Sequence, residues 1–225
     1  MNGTIQRALC KLAINAYLSI LIRKHNRQNP DAAAFIDSFA MTAIWDRKSS
    51  RLRIDPMAFT VIVGIVNEHH HWMLLVIYPQ EKKSLFLDPM GESLANTRRC
   101  LETTRAFMRQ KGCNVSRWSC DSLPHGLQQD GTSCGIFALK FAEKVLEGEA
   151  LDTKVSLGAV NKWRLEVATT LLQESDDLSN LYHYCGCEEN EDTEWVCCEI
   201  CGRWFHYQCV QRPPLDEDYF CPACI

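Results

Sequence analysis

Residues 128–135 read QQDGTSCG and lead into an apolar run that continues to Glu147, where Gly148 follows. The run predicts a helix that begins at Cys134 and ends at the glycine. A thiol at the start of a helix lies at the positive end of the helix dipole, which favours its thiolate form. The stretch therefore presents Cys134 as a candidate nucleophile.

Two other segments carry the groups that such a thiol requires. His71 opens one strand-like apolar run, and Asp88 stands at the end of the next one. An imidazole takes the thiol proton and returns it to the leaving amine, and a carboxylate fixes the imidazole tautomer. Gln128 is a candidate donor to the developing oxyanion, together with the Cys134 backbone N–H. Each motif alone is more often structural than catalytic, but their order and spacing fit one site.

The flanking sequence predicts helices first, an antiparallel sheet in the middle and helices again, which is an α+β domain. The predicted helices are residues 5–24, 32–45, 97–111, 134–147 and 161–173, and the predicted strands are 60–66, 72–78 and 84–87. The last two strands form a hairpin, so the ends that carry His71 and Asp88 lie on the same side of the sheet.

These motifs resemble those of the ubiquitin-like protease family, the deSUMOylating cysteine proteases. That family has His-Trp, then an Asp at the same separation as Asp88 from His71, then Gln-x-x-Gly-x-x-Cys-Gly, all preceded by an Ile-Asn-x-Tyr-Leu helix. The matching positions are His71-Trp72, Asp88, Gln128, Gly131, Cys134-Gly135 and Ile14–Leu18. The resemblance covers nearly all of the segment 5–172 and implies a papain-like fold.

The resemblance also implies a substrate, SUMO or another ubiquitin-like modifier, cleaved after its Gly-Gly end. In the family, the tryptophan after the histidine covers a narrow channel that admits only glycines, which makes Trp72 a candidate substrate-binding residue. Two positions depart from the family. Residues 8–11 read ALCK where Trp-Leu-x-Asp is usual, and Ser133 stands where Asp is common. The first departure leaves the identity of the modifier open.

Three alternatives remain beside this interpretation. One is a catalytically silent protein that binds the modifier or a histone, against which the intact set of catalytic residues argues. The others are a deubiquitinase-like enzyme and a protease encoded by a mobile element. Outside the motifs, the remaining cysteines and one histidine of the segment 1–182 are interpreted as ordinary structural groups: Cys10, Cys100, Cys113, Cys120 and His125.

The last part of the chain differs in composition. Eight of the 13 cysteines lie in the segment 185–225. The segment 183–225 holds 2 basic and 9 acidic side chains, against 22 and 19 in the segment 1–182. CxC and CxxC doublets beside a histidine are typical of metal ligation, not of a disulfide scaffold. The acidic balance favours a basic partner over nucleic acid.

Eight side chains of this tail have the spacing of ligands for two tetrahedral zinc ions. The order of four cysteines, a histidine and three cysteines, with Trp-Phe before the histidine, resembles the PHD finger more than the RING domain. The interleaved ligation of that family implies one zinc held by Cys185, Cys187, His206 and Cys209, and another held by Cys198, Cys201, Cys221 and Cys224. A module this small and polar needs the metal in order to fold.

PHD fingers often bind the tail of histone H3 through an aromatic cage around a methylated lysine. The matching positions are Tyr184, Trp195 and Trp204, although Trp204 has the alternative of packing in the finger's own core. The sequence thus predicts a protease domain at 1–173, a linker at 174–182 and a finger at 183–225. No membrane-spanning stretch or secretory pattern is visible, which favours the nucleus or the cytoplasm.

Overall fold

The computed structural model describes residues 2–30, 32–48, 52–174, 194–200, 204–210, 213–214 and 217–221, with the side chains of residues 2–10 left out. The chain divides into two compact units, Met1–Glu174 and Ser175–Ile225. The linker predicted at 174–182 lies outside the described residues except for its first position. None of the described helices is long and apolar enough to cross a membrane.

The first unit is built on a five-stranded sheet in the order β1-β2-β3-β4-β5. Its strands are β1 Ala33–Ile36, β2 Val61–Glu68, β3 His71–Tyr78, β4 Lys83–Leu87 and β5 Ser119–Asp121. The three central strands are antiparallel, as predicted, but β1 and β5 pair in parallel with their neighbours. The prediction of an antiparallel sheet is therefore wrong at both edges, and the sheet is mixed.

Five α-helices cover the two faces of this sheet, which explains why β3 is apolar at nearly every position. The helices are α1 Asn2–Gln28, α2 Ser38–Trp45, α3 Leu94–Gln110, α4 Cys134–Glu147 and α5 Leu157–Gln173. Alternate side chains of the central strands pack into two buried clusters, one with α1, α4 and α5 and the other with α2 and α3. The α+β class is confirmed.

One predicted element needs correction, and one strand was not predicted. The helix predicted at 32–45 is wrong in its first part, because Ala33–Ile36 forms strand β1 and the helix begins only at Ser38. The Asp37 side chain accepts hydrogen bonds from two backbone N–H groups of the first turn, which fixes that start. Strand β5 was missed, because its short sequence, Ser-Cys-Asp, has no strand-like pattern.

The described part of the second unit contains a two-stranded antiparallel sheet. Strand β6 is Trp195–Cys197 and strand β7 is Trp204–His206. Phe205, from β7, lies in a small buried cluster with Cys198 and Cys221. Both of these cysteines are predicted zinc ligands.

Candidate active site

The hairpin of β3 and β4 brings His71 and Asp88 together. His71 is the first residue of β3, and Asp88 directly follows β4, so antiparallel pairing puts both at the same edge of the sheet. His71 Nε2 lies 2.6 Å from Asp88 Oδ1, and the same oxygen accepts the Met90 backbone N–H at 2.9 Å. The carboxylate is thus held towards the imidazole by both local backbone and strand register.

Cys134 reaches this pair from the other side, as the first residue of α4, which packs against β3. Burial works against the thiolate, but hydrogen bonds from the His71 side chain and from the backbone N–H of Trp72 outweigh it and lower the pKa of Cys134. The thiol is 5% exposed. The structure therefore brings Cys134, His71 and Asp88 to one site, as the sequence predicted.

The imidazole is polarised by both partners. Its hydrogen bond with Asp88, followed by that with Cys134, outweighs the effect of burial and raises the pKa of His71 to about 9. Because Nε2 faces Asp88, Nδ1 is the nitrogen left for Cys134. This arrangement favours a thiolate beside an imidazolium, which provides both a nucleophile and a proton for a leaving group.

Gln128 lies beside the Asp88 turn. Its backbone N–H donates to the Pro89 carbonyl at 2.8 Å, and its side-chain Nε2 donates to the Asp130 carbonyl at 2.7 Å. An amide nitrogen has two hydrogens, so a second one remains for an oxyanion. The side-chain Oε1 is buried and has no hydrogen-bond partner among the described residues.

The turn before the nucleophile is fixed by Asp130. Its carboxylate accepts hydrogen bonds from the hydroxyls and backbone N–H groups of Thr132 and Ser133. These bonds, led by that of the Ser133 hydroxyl, lower the pKa of Asp130 to about 2. Arg164 of α5 donates to Ser133 Oγ at 2.9 Å and to Thr132 Oγ1 at 3.2 Å. Ser133, which stands where the family commonly has Asp, thus bridges Asp130 and Arg164.

Trp72 packs against the first turn of α4. It is 7% exposed. A Cβ added at Gly135 would lie 3.3 Å from Trp72 Cδ1 and 3.4 Å from Ile14 Cδ1, so any larger residue there would require these side chains to shift by a few tenths of an ångström. The indole is therefore placed immediately beside the nucleophile, which is where a channel-covering tryptophan has to lie.

His125 lies in a loop and is a structural group, as the sequence indicated, but both of its ring nitrogens have polar partners. Its Nε2 lies 2.6 Å from Glu92 Oε1, and its Nδ1 lies 2.9 Å from the Gly126 carbonyl oxygen. The side chain is 2% exposed. The two residues of the pair are 33 positions apart, and no local motif marks either, so sequence reasoning had no signal for this contact.

Half of the predicted zinc ligands lie in the described part of the second unit. Cys209 Sγ is 4.0 Å from His206 Nδ1, and the Cys221 backbone N–H donates to Cys198 Sγ at 3.3 Å. Each close pair belongs to one of the two predicted zinc sets. The remaining ligands and one cage position lie outside the described residues: Tyr184, Cys185, Cys187, Cys201 and Cys224. Within the described residues no group of three ligands occurs, since only two of each set are included.

The α+β fold with a Cys–His–Asp site defines the class of cysteine proteases. Residues 7–175 match the model of the Ulp1 protease family, C-terminal catalytic domain. The chain belongs to this family, and the prediction of its protease class is confirmed.

Among curated proteins, the chain is similar to a sentrin-specific protease of Caenorhabditis elegans, with 27% identity over 146 residues, or 58% of this chain and 20% of that protein. The chain is also similar to PHD finger protein ALFIN-LIKE 3 of Arabidopsis thaliana, with 39% identity over 44 residues, or 18% of each chain. The chain thus spans about a fifth of the length of these relatives.

Among solved structures, the fold is similar to the Ulp1 protease domain in complex with Smt3, the yeast ortholog of SUMO, with a TM-score of 0.60, 16% identity, and 73% of this chain and 76% of that chain covered. It is also similar to the catalytic domain of the Ulp1-like SUMO protease of Chaetomium thermophilum, with a TM-score of 0.57, 19% identity, and 72% and 69% covered. At these low sequence identities, the structural similarity establishes only that the chains share a fold.

Proposed function

We propose that the unit Met1–Glu174 is a thiol peptidase that cleaves after the C-terminal Gly-Gly of SUMO, in precursors or in isopeptide conjugates. The observation that carries this proposal is the hydrogen-bonded series Cys134–His71–Asp88, with an imidazole whose pKa is about 9. Family membership supports the chemistry. The sentrin-specific protease and the Ulp1–Smt3 complex support SUMO as the modifier.

In this reaction the Cys134 thiolate attacks the carbonyl carbon of the terminal glycine. The oxyanion of the tetrahedral intermediate accepts hydrogen bonds from the Cys134 backbone N–H and the Gln128 side-chain amide. The C–N bond breaks as the His71 imidazolium gives its proton to the leaving amine, which leaves a thioester. His71 then takes a proton from water, and the hydroxide attacks the thioester and releases the modifier and the thiolate.

The contact between Trp72 and Gly135 supports a preference for glycine at the cleavage site. The indole lies over the start of α4 beside the nucleophile, and even one Cβ added at position 135 would crowd it. A substrate backbone that passes under this indole is confined in the same way. This close contact supports a site that admits glycine and disfavours larger side chains beside the scissile bond.

The test is hydrolysis of SUMO and of ubiquitin, each linked through its terminal glycine to a lysine side chain. We expect the full chain to release SUMO, the Cys134→Ala variant to release none, and the control Cys113→Ala to behave as wild type, because Cys113 packs against the buried cluster on the other face of the sheet. Cleavage of neither modifier, or cleavage that survives Cys134→Ala, contradicts the proposal. Faster cleavage of ubiquitin than of SUMO favours the deubiquitinase alternative.

For the unit Ser175–Ile225 we propose a PHD-type finger with two structural zinc ions. Thiolates and imidazole are the donors that zinc prefers, and the pairs Cys209–His206 and Cys221–Cys198 fit the interleaved sets. Zinc would cross-link chain segments whose described residues share only a small buried cluster. The stretch similar to PHD finger protein ALFIN-LIKE 3 supports this assignment.

The aromatic residues of this finger support a histone-binding role, which accords with a nuclear location. Trp195 pairs with His206 and Cys197 pairs with Trp204, so both tryptophans lie on one face of the small sheet. Trp204 is 57% exposed, which disfavours a place in the core, whereas Trp195 packs on the His206 ring at 4.0 Å between centroids. The position of both rings on one face supports the proposed cage.

Calorimetric titration with unmodified and trimethylated histone H3 tail peptides tests this role. We expect tighter binding of a trimethylated peptide and loss of that preference in Trp204→Ala, because the cation–π contact is removed. Leu157→Ala, which shortens an exposed side chain of the other unit, is the control. If the two peptides bind equally tightly, or if neither binds, the methyl-lysine proposal is contradicted.

A further inference from the structure

Behind the triad lies a second histidine–carboxylate pair, Glu92 and His125, which the reaction above does not use. Glu92 Oε1 receives two hydrogen bonds, one from His125 Nε2 at 2.6 Å and one from the Asp88 backbone N–H at 3.0 Å. The Asp88 carboxylate, in turn, accepts a hydrogen bond from the His71 imidazole. The pair is therefore one hydrogen bond away from the residue that orients the catalytic imidazole.

The protonation state of this pair follows from its partners. Both ring nitrogens of His125 face oxygen acceptors, the Glu92 carboxylate and the Gly126 carbonyl. A neutral imidazole can donate from only one nitrogen, so both bonds are satisfied only by an imidazolium. Burial opposes the charge, but these two hydrogen bonds outweigh it and raise the pKa of His125. Hydrogen bonds from His125 and Asp88 likewise outweigh burial and lower the pKa of Glu92.

His125 also connects the segments that carry the other catalytic groups. Its ring packs on Phe141 of α4, the helix that begins at Cys134, with 4.7 Å between centroids. Its own chain segment continues to Gln128, whose N–H donates to Pro89. A displaced His125 ring would therefore disturb the Asp88 turn, the Gln128 segment and α4 together.

The backbone beside His125 leaves it little freedom. The Gly126 N–H donates to the Asp152 carbonyl at 2.7 Å, and a Cβ at Gly126 would lie 2.8 Å from Val155. The segment that carries the ring is therefore fixed against the loop that follows α4.

The charged groups of the elements packed around His125 are few. Glu92 and Asp88 face it from the turn after β4. On α4, Lys140 and Lys144 flank Phe141, and Asp152 lies next to them in the loop that follows. Both lysines are paired with other carboxylates. Glu92 is therefore the carboxylate that balances the His125 charge.

We propose that the Glu92–His125 ion pair is a positioning pair that holds the Asp88 turn against His71 and so maintains the Cys134 thiolate. In this pair the His125 side chain is buried and Glu92 is half-buried. The inference rests on the proposed function, since it concerns the same triad, but its test needs no modifier.

The experiment is alkylation of Cys134 by iodoacetamide as a function of pH in the full chain, followed by mass spectrometry of the peptide that contains Cys134. In Glu92→Gln and in His125→Gln, the turn that carries Asp88 should lose its support, and the Asp88 carboxylate should hold His71 less firmly. The His71 pKa should then fall, so that the Cys134 thiolate loses the imidazolium that stabilises it. We expect the midpoint of alkylation to rise by about one pH unit in each variant, which is about tenfold slower alkylation below the midpoint. Glu166→Gln, which removes a carboxylate from the Lys140 cluster, is the matched control and leaves the midpoint unchanged.

The double variant Glu92→Gln/His125→Gln separates a pair from two independent groups. Because the two residues act through one contact, its shift should equal that of either single variant. Midpoints equal to that of Glu166→Gln, or shifts that add in the double variant, overturn the inference. If thermal melting shows that Glu92→Gln does not fold, His125→Gln carries the same test. A shifted midpoint in a chain that cleaves no SUMO supports the pair and removes only the proposed substrate.

Discussion

Cys134 in the first unit and Cys198 in the second are both buried, at 5% and 0% exposure, but they are buried by different means. Cys134 belongs to a large cluster of buried side chains drawn from the sheet and from α1, α4 and α5. In the described part of the second unit, Cys198 shares its cluster with only Phe205 and Cys221 as buried members, and Cys221 is itself a predicted ligand.

The comparison shows what holds the cysteine side chain in position in each unit. In the first, burial of apolar surface positions the thiol, and its chemistry is adjusted afterwards by His71 and the helix start. In the described part of the second unit, so small a cluster supplies too little apolar burial to offset the entropy of ordering these chain segments. We therefore expect the free energy of metal binding to drive the folding of the second unit.

Removal of zinc should separate the two units most clearly. Binding of structural zinc contributes on the order of 10 kcal/mol in small fingers, so a strong chelator should unfold the second unit and leave the first folded. In a ¹H–¹⁵N NMR spectrum, the resonances of the segment 194–221 should collapse while those of α4 stay unchanged. Cys198→Ser should give the same spectrum without chelator. A second unit that keeps its spectrum after its zinc has been removed breaks the comparison.

Asp88→Asn tests whether the triad depends on charge, not on burial. The amide keeps the shape but fixes the wrong imidazole tautomer, so we expect kcat on a SUMO substrate to fall about 10⁴-fold. The His71 pKa is raised first of all by its bond with Asp88, so protonated His71 should be lost at a lower pH than about 9. The alkaline limb of the kcat/KM profile should therefore move to lower pH. Asp121→Asn, at an exposed ion pair, is the control, and an alkaline limb that does not move contradicts the assignment of Asp88.

Gly135→Ala should have the smallest effect. The added Cβ forces Trp72 or Ile14 to shift by a few tenths of an ångström, which corresponds to overpacking of about 1 kcal/mol. We expect KM for the SUMO substrate to rise several-fold while the alkylation midpoint of Cys134 stays constant. Gly158→Ala, where the new Cβ would meet only Ser156 Oγ at 3.8 Å, should leave both unchanged. A rise in KM for Gly158→Ala as well would mean that the effect is not specific to the channel.

The sequence was sufficient for the triad because a motif marks each of its three residues. His71 and Asp88 lie at adjacent ends of one hairpin, and Cys134 begins a strongly apolar helix that packs on the same strand. The interactions that support the triad were not predictable, because no motif marks the residues that they join. His125 meets Glu92 across 33 positions, and Arg164 meets Ser133 across 31.

The fold shows the same division. The antiparallel centre follows from consecutive apolar runs separated by a short turn. The parallel edges depend on contacts made after long connections, and β1 was hidden in an alanine-rich segment that favours a helix by propensity. Pairing with β2 overrides that propensity, because tertiary hydrogen bonds outweigh it.

The most direct measurement of the central claim is the site of labelling by SUMO that carries a thiol-reactive group in place of its terminal carboxyl. After reaction with the full chain and proteolysis, mass spectrometry should place the adduct on Cys134 alone among the 13 cysteines, and prior alkylation at neutral pH should prevent it. An adduct on another cysteine, or none under conditions in which the chain is folded, would contradict the assignment of Cys134 as the nucleophile.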